Sequence, residues 1–403
     1  MDFDILQPLL KKGLTTKIVL LVMDGLGGLP ISPGGKTELE TAKKPNLNAL
    51  AEKSVLGLQQ PLLAGMTPGS GPAHIGLFGY DPIHYAIGRG VLSALGVDFD
   101  LQPNDVSARG NFCTVDENGI IIDRRAGRIP TEKGAQLCTL LSENIKIPGV
   151  EVILTPEKEY RFVFVLRGPG LNGEVSDTDP QSTGKKALQA EPFSPDSKKT
   201  SEYIQEFVRQ ANDVLKNQSP ANSLVLRGFS QLPKWPRFND VFGLRSLAIA
   251  MYPMYRGVAK LVGMTVMPAA QSMEEEIDML EQNWNNYDFF FVHIKKTDSY
   301  GEDGNFDAKV GIIEQVDALL PRILALKPDV LLVTGDHSTP AKMRSHSWHP
   351  VPTMLYSELC RPDGIREYGE RACLKGSLGP MFPSYDLMPL ALAHANRIEK
   401  FGA

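Results

Sequence analysis

Three apolar runs constrain this chain more than any other feature. Lys17-Ile-Val-Leu-Leu-Val-Met23 stops at Asp24-Gly25, Asp288-Phe-Phe-Phe-Val-His-Ile294 leads to Asp298, and Asp329-Val-Leu-Leu-Val-Thr334 stops at Gly335-Asp336-His337. Unbroken apolar residues, rather than alternating ones, suit strands buried on both faces of a parallel sheet. Their β-branched and aromatic content favours strand over buried helix. Helical spacing lies between them. Residues 305–326 carry Phe306, Val310, Ile313, Leu320 and Leu324. Thr200 to Asn217 puts Ile204, Phe207, Val208, Ala211 and Leu215 on one stripe. Ser272 and Glu275 form a capping box ahead of Ile277 and Leu280. This alternation predicts an α/β fold with a mostly parallel sheet flanked by helices. Functional residues of such folds gather beyond the carboxyl ends of strands. Asp24, Asp298, Asp336 and His337 all sit there.

Residues 106–180 read differently: strand, turn, strand, helix, strand, strand. Asn111 to Val115, the turn Asp116-Glu-Asn-Gly119 and Ile120 to Ile122 form a hairpin. A helix is expected from Thr131 to Asn144, then strands at Val150–Leu154 and Tyr160–Leu166. The expected division is a catalytic domain of 1–105 and 181–403, interrupted by a small α+β lid domain at 106–180. Asn222–Arg227 and Arg245–Ala250 read as a return to the larger domain.

With 42% apolar and 22% charged residues among 403, the chain is expected to be globular. Its net charge of −5 argues against a sequence-independent nucleic-acid binder. No apolar stretch reaches the roughly 18 residues of a membrane span, and Met1 to Gly13 lacks the pattern of a secretory signal. Cys113, Cys138, Cys360 and Cys373 show no CxxC spacing and are expected as reduced thiols in a cytoplasmic protein.

Three groups of residues carry chemistry. Asp24, Asp298, Asp336, His337 and His346 are carboxylates and imidazoles able to hold two divalent metals. Taken singly, each has an ordinary reading as a turn or surface residue. In Thr67-Pro-Gly-Ser-Gly-Pro-Ala-His74, Ser70 lies where the backbone bends sharply, and a helix starting near Pro72 would place His74 one turn on; an ordinary Gly-Pro turn is the alternative. Asp123-Arg-Arg-Ala-Gly-Arg128 concentrates Arg124, Arg125 and Arg128, with Arg109 at a nearby strand end. Arginine binds phosphate and carboxylate bidentately, although such a run is usually a solvated turn. Arg256 and Lys260 are further anion-binding candidates.

Taken in order, these motifs resemble the archaeal-type 2,3-bisphosphoglycerate-independent phosphoglycerate mutases, of the alkaline phosphatase superfamily. The resemblance runs through Met23-Asp-Gly25, Thr67 to His74, Gly79-Tyr-Asp-Pro82, Gly88-Arg-Gly90, Asp123 to Arg128, Val292-His-Ile-Lys295, Thr334-Gly-Asp-His-Ser-Thr-Pro340 and Pro350-Val-Pro352. It implies an alkaline-phosphatase-like sheet with an inserted lid and a phosphoserine at Ser70. Asp24, Ser70, Asp336 and His337 then surround one metal, and Asp298 and His346 belong to the other. His74 contacts the phosphoryl group, and Arg124, Arg125 and Arg128 grip the substrate. Manganese is the expected metal, with zinc or magnesium as alternatives. No bisphosphoglycerate or nucleotide is required, and the partner is a small phosphorylated substrate.

One departure stands out. Glu302 occupies the slot where the family pattern has histidine, and His349 stands where many relatives have aspartate. A compensating swap is expected, in which Glu302 ligates directly or His349 supplies the nitrogen. The expected reaction is interconversion of 2-phosphoglycerate and 3-phosphoglycerate. The rival readings are a metal-dependent phosphatase or phosphodiesterase, another phosphotransferase such as a homoserine-kinase-like enzyme, and a non-catalytic sensor.

Overall fold

The computed structural model describes residues 2–402, whose thirteen strands are numbered β1 to β13 along the chain. Two compact units result. The first combines residues 1–86 with 235–403 and the second is Ile87–Lys234.

The first unit is built on an eight-stranded sheet. Its strands are β1 (Ile18–Met23), β2 (Ser54–Gln60), β8 (Ser246–Ala250), β9 (Thr265–Val266), β10 (Phe289–Ile294), β11 (Val330–Thr334), β12 (Val351–Ser357) and β13 (Gly379–Pro383). The order is β13-β2-β12-β11-β1-β10-β8-β9, with β12 antiparallel to both neighbours and the remaining pairs parallel. The three apolar runs are β1, β10 and β11, side by side and fully buried. This is the mixed α/β architecture expected from their patterning. The helix Phe306–Ala325 lays Ile312, Ile313, Leu320 and Ile323 against Leu21, Phe290, Val292 and Leu331 of the sheet. Ser272 caps the helix Met273–Asn283, its hydroxyl accepting from the Glu275 amide at 3.2 Å.

One turn into that helix, Glu276 is fully buried. Burial pushes its pKa up to about 9 from 4.5, with the Met251 backbone opposing the shift. A carboxyl with a raised folded-state pKa stabilises the fold fully below pH 4.5, and that contribution is lost as pH rises towards 9. Each unit corresponds to about 1.4 kcal/mol, so several kcal/mol ride on this proton. Glu276→Gln keeps the shape without the charge. Its urea midpoint is expected to match the native protein near pH 5 and to exceed it clearly at pH 9; equal midpoints at pH 9 would contradict this.

The second unit carries a five-stranded antiparallel sheet of β3 (Val106–Val115), β4 (Ile121–Asp123), β5 (Glu151–Pro156), β6 (Arg161–Arg167) and β7 (Ser223–Ser230). The helices Thr131–Asn144 and Lys198–Leu215 supply Leu137, Leu141, Ile204 and Phe207, which pack with Phe112, Phe162 and Phe164. The unit therefore extends beyond 106–180 on both sides. β7, expected in the larger domain, pairs with β3 instead, Asn111 opposite Val225. The reason is physical: the stripe on Lys198–Leu215 needs an apolar sheet face, and the β3–β6 face with β7 beside it provides one.

Among the described residues no helix is long and apolar enough to cross a membrane. The four cysteines are free, Cys360 being half-buried and the others buried.

Candidate active site

Strand register assembles the site. Met23 of β1 is level with Ile294 of β10, and Val22 with Thr334 of β11. The segments that leave these strands therefore emerge together: Asp24, Lys295 to Asp298, and Asp336 with His337. Short bonds tie them. The Asp24 amide donates to the Ile294 carbonyl at 2.9 Å. The Thr297 hydroxyl donates to the Asp24 carbonyl at 2.5 Å, and the Gly25 amide to Asp336 Oδ1 at 3.0 Å. Gly25 has φ of +64°, and a Cβ there would lie 2.9 Å from Asp298 Oδ1, so glycine answers both to backbone and to space.

Ser70 is the first residue of the helix Ser70–Leu77, which Gly69 precedes as N-cap. The helix thus starts two residues before Pro72. Ser70 Oγ lies 3.2 Å from His337 Nε2. His337 belongs to two groups of side chains whose ligand atoms fall within 4.8 Å of one another: Asp24, Asp336, His337 and Asp298, His337, His346. Its Nε2 is 3.4 Å from Asp24 Oδ1 and 3.1 Å from Asp336 Oδ2. Its ring stacks on His346 with centroids 3.7 Å apart. The Thr339 hydroxyl lies 2.9 Å from His337 Nδ1 and donates to Asp298 Oδ1 at 2.7 Å. His346 Nε2 is 3.5 Å from Asp298 Oδ1 and 3.8 Å from Glu302 Oε1, while its Nδ1 meets the Pro68 carbonyl at 2.9 Å.

These donors fit divalent cations. Asp24 Oδ1 and Asp336 Oδ2 are buried without a hydrogen-bond partner. A buried carboxylate oxygen without a donor is unfavourable unless a cation meets it. Acceptor oxygens converging on an imidazole nitrogen are the ligand chemistry of a zinc- or manganese-type ion.

The protonation states follow from burial and charge. Burial opposes ionisation of Asp24, but Lys295, then His293 and His337, more than offset it and hold its pKa below the usual carboxylate range. Burial and the Asp24 charge push Asp336 well above that range. Burial drives His337 well below 6.5, with His346 adding to the effect, and it lowers His74 to about 4. Both imidazoles are therefore neutral at physiological pH.

The other expected residues are placed as follows. His74, expected against a phosphoryl group, is wholly buried, with Nδ1 at 2.8 Å from the Ser70 carbonyl and 3.3 Å from Asp336 Oδ2. It supports the serine turn from beneath. Glu302 is four residues after Asp298 on the helix Lys296–Asp303, so both carboxylates share a face. His349 instead meets Ser347 Oγ at 3.0 Å and stacks on Trp348. Arg256 and Lys260 lie half-buried on the helix Pro253–Leu261, whose Tyr255 hydroxyl is the group that donates to Asp24 Oδ2.

Tyr255 escaped the sequence reading, as did Lys295 and His293. Lys295 Nζ lies 3.0 Å from Asp24 Oδ2 and also bonds the Asp298 carboxylate. His293 Nε2 is 3.5 Å from Asp24 Oδ2, and its ring stacks on Tyr255 at 3.7 Å. Position at the end of β10 was the available signal for both, within the motif Val292-His-Ile-Lys295.

In the second unit, Arg109 of β3 stands directly opposite Arg227 of β7. Like charges across a strand pair are unfavourable without an anion. Arg109 pairs with Glu157 at 2.7 Å, and Arg124 with Asp179 at 2.8 Å. Burial, then the charges of Arg89, Arg109 and Arg124, push Arg227 down to about 10. Asp179 acts in the opposite direction. Arg124 Nε and Arg227 Nε are buried without a partner. Arg125 and Arg128 are exposed, so of the basic run it is Arg124 that joins this guanidinium group.

Comparison with known proteins gives the family of the chain. A family profile described as 2,3-bisphosphoglycerate-independent phosphoglycerate mutase matches residues 51–222. A probable enzyme of that name from Thermotoga neapolitana is 53% identical over 389 residues, 96% of each chain. Another from Thermus thermophilus is 50% identical over 405 residues, 100% of this chain and 99% of the relative. Among solved structures, a protein from Pyrococcus horikoshii is 31% identical with a TM-score of 0.82, covering 97% of this chain and 100% of that one. The cofactor-independent phosphoglycerate mutase of Thermoplasma acidophilum is 27% identical with a TM-score of 0.69, covering 94% of this chain and 100% of that one. Such identity, sustained along nearly the whole chain, means that this protein belongs to the 2,3-bisphosphoglycerate-independent phosphoglycerate mutase family.

Proposed function

We propose that this protein interconverts 2-phosphoglycerate and 3-phosphoglycerate, with Ser70 as the carrier of the phosphoryl group. One observation carries the reading: a serine hydroxyl at a helix N-terminus, 3.2 Å from the imidazole shared by two metal-ligand groups. Asp24, Ser70, Asp336 and His337 would hold one divalent cation, and Asp298 and His346, with Glu302, the other. Manganese suits this mixture of carboxylate and imidazole, with zinc or magnesium as substitutes. Bound cations supply charge neutralisation on the phosphoryl oxygens and a lowered pKa for the serine hydroxyl.

The chain does the rest. Ser70 forms an O–P bond as the substrate's O–P bond breaks, and the serine proton ends on the released glycerate hydroxyl. Glycerate turns over, its other hydroxyl takes the phosphoryl group, and Ser70 recovers its proton. His74 braces the serine turn through the Ser70 carbonyl. Water is the competing acceptor, so glycerate must be held throughout. Within the second unit, Arg124 and Arg227, whose Nε atoms are buried without a hydrogen-bond partner, are the anion-binding candidates. The buried and half-buried free thiols suit a reducing compartment such as the cytoplasm.

The test supplies 3-phosphoglycerate and Mn²⁺ without bisphosphoglycerate or nucleotide, and follows 2-phosphoglycerate and free phosphate together. Isomer without phosphate is expected; phosphate alone would make the protein a hydrolase.

Glu302 is the better substitute for the family's histidine, because it shares a helix face with Asp298 and lies 3.8 Å from His346 Nε2. Glu302→Ala is expected to weaken one of two Mn²⁺ sites at least tenfold in a titration. His349→Ala is expected to leave both within twofold. The reverse ranking would transfer the role to His349.

A further inference from the structure

Lys309 is fully buried in the first turn of the helix Phe306–Ala325. Among the described residues its side chain makes no ion pair at hydrogen-bond range. Instead Nζ donates to three backbone carbonyls: Gly25 at 2.8 Å, Gly27 at 3.1 Å and Thr339 at 2.8 Å. An ammonium has three protons, and each finds one acceptor. No neutral side chain offers three donors from one atom.

The carbonyls belong to two loops. Gly25 and Gly27 lie one and three residues after Asp24. Thr339 follows Asp336 and His337, and its hydroxyl touches both His337 Nδ1 and Asp298 Oδ1. The loops are in direct contact, since a Cβ at Gly27 would lie 1.8 Å from Ser338 Oγ. The Thr339 amide also reaches the Gly25 and Gly27 carbonyls at 3.2 and 3.0 Å. The buried Glu38 and the half-buried Glu370 hold nearby amides of the same loops. Glu370 Oε1 accepts from Gly28 N at 2.9 Å, and Glu38 Oε1 from Ala341 N at 2.8 Å. Carboxyl groups thus hold amide donors, and Lys309 carbonyl acceptors, of both loops.

We propose that Lys309 is a positioning residue for cation binding: its buried ammonium clasps the Asp24 and Asp336–Thr339 loops together and so sets the spacing of Asp24, Asp336 and His337. The inference rests on the reading of those three residues as a metal site. A ligand set held at its working spacing binds without a reorganisation cost; released loops must be ordered by the cation itself. Loss of the ammonium therefore weakens metal binding, and excess metal restores function.

The test is calorimetric titration of Mn²⁺ into metal-free native protein, Lys309→Met, and Leu320→Ala as a core control on the same helix. Lys309→Met is expected to raise the Mn²⁺ dissociation constant at least tenfold and to recover kcat to within a few-fold at saturating Mn²⁺. Leu320→Ala is expected to lower the melting temperature with the dissociation constant unchanged, which separates positioning from general destabilisation. Should Lys309→Met fail to fold, Lys309→Gln, which keeps one donor group, carries the same measurement. Native-like Mn²⁺ affinity in a folded Lys309 variant overturns the proposal. Absence of Mn²⁺ binding by the native protein overturns the metal reading instead, so the two failures are distinct.

Discussion

Ser70→Ala is expected to lower kcat for phosphoglycerate interconversion by roughly 10⁴- to 10⁶-fold, the usual cost of deleting a covalent nucleophile. Binding should survive far better than catalysis. Asp24, Asp336 and His337 remain, and their ligand atoms already lie within 4.8 Å of one another. The backbone at Ser70 is held through its carbonyl by His74 at 2.8 Å, so removing the hydroxyl leaves the turn intact. A second readout is chemical. The native protein incubated with phosphoglycerate should show an acid-stable phosphate on Ser70 by mass spectrometry, and the variant should show none. A variant retaining more than a hundredth of the native kcat would remove Ser70 from the carrier role.

Asp336→Asn is the second large effect. Asp336 spans the site, with Oδ1 taking the Gly25 amide at 3.0 Å and Oδ2 lying 3.1 Å from His337 Nε2 and 3.3 Å from His74 Nδ1. Asparagine preserves the shape and removes one of two carboxylates from the Asp24 group. Even a group that only supports a ligand typically costs about 10–100-fold in metal affinity when lost, so a direct ligand should cost more than about 100-fold. At limiting Mn²⁺, activity should be lost in the same proportion. Circular dichroism should stay native, because the buried charge being removed stabilises only the loaded state. Titration of Mn²⁺ with parallel activity assays checks both statements, and an unchanged metal affinity would exclude Asp336 as a ligand.

The legible and illegible parts of this protein divide by the range of the interactions that decide them. The helix Thr131–Asn144 coincides with its sequence reading, because its stripe of Leu137, Cys138 and Leu141 is a local pattern. β7 does not: Leu224, Val225 and Leu226 look like any buried strand, and only the competition among sheet edges assigns them to β3. The same holds for charged residues. Asp24, Asp298, Asp336 and His337 announced themselves by following strands. Lys309 follows no strand, and its burial against the Gly25 and Thr339 carbonyls appears only in the folded chain.

Residue types and their local periodicity therefore suffice for the strands and most helices, since backbone preference and one-sided burial act over a few positions. Strand partners, the reach of the inserted unit, the approach of Glu302 to His346, and the hydrogen bonds of Lys309 appear only in three dimensions. Each depends on which distant backbone and side-chain groups are left to satisfy one another after the cores have packed, and no short window of chain contains that information.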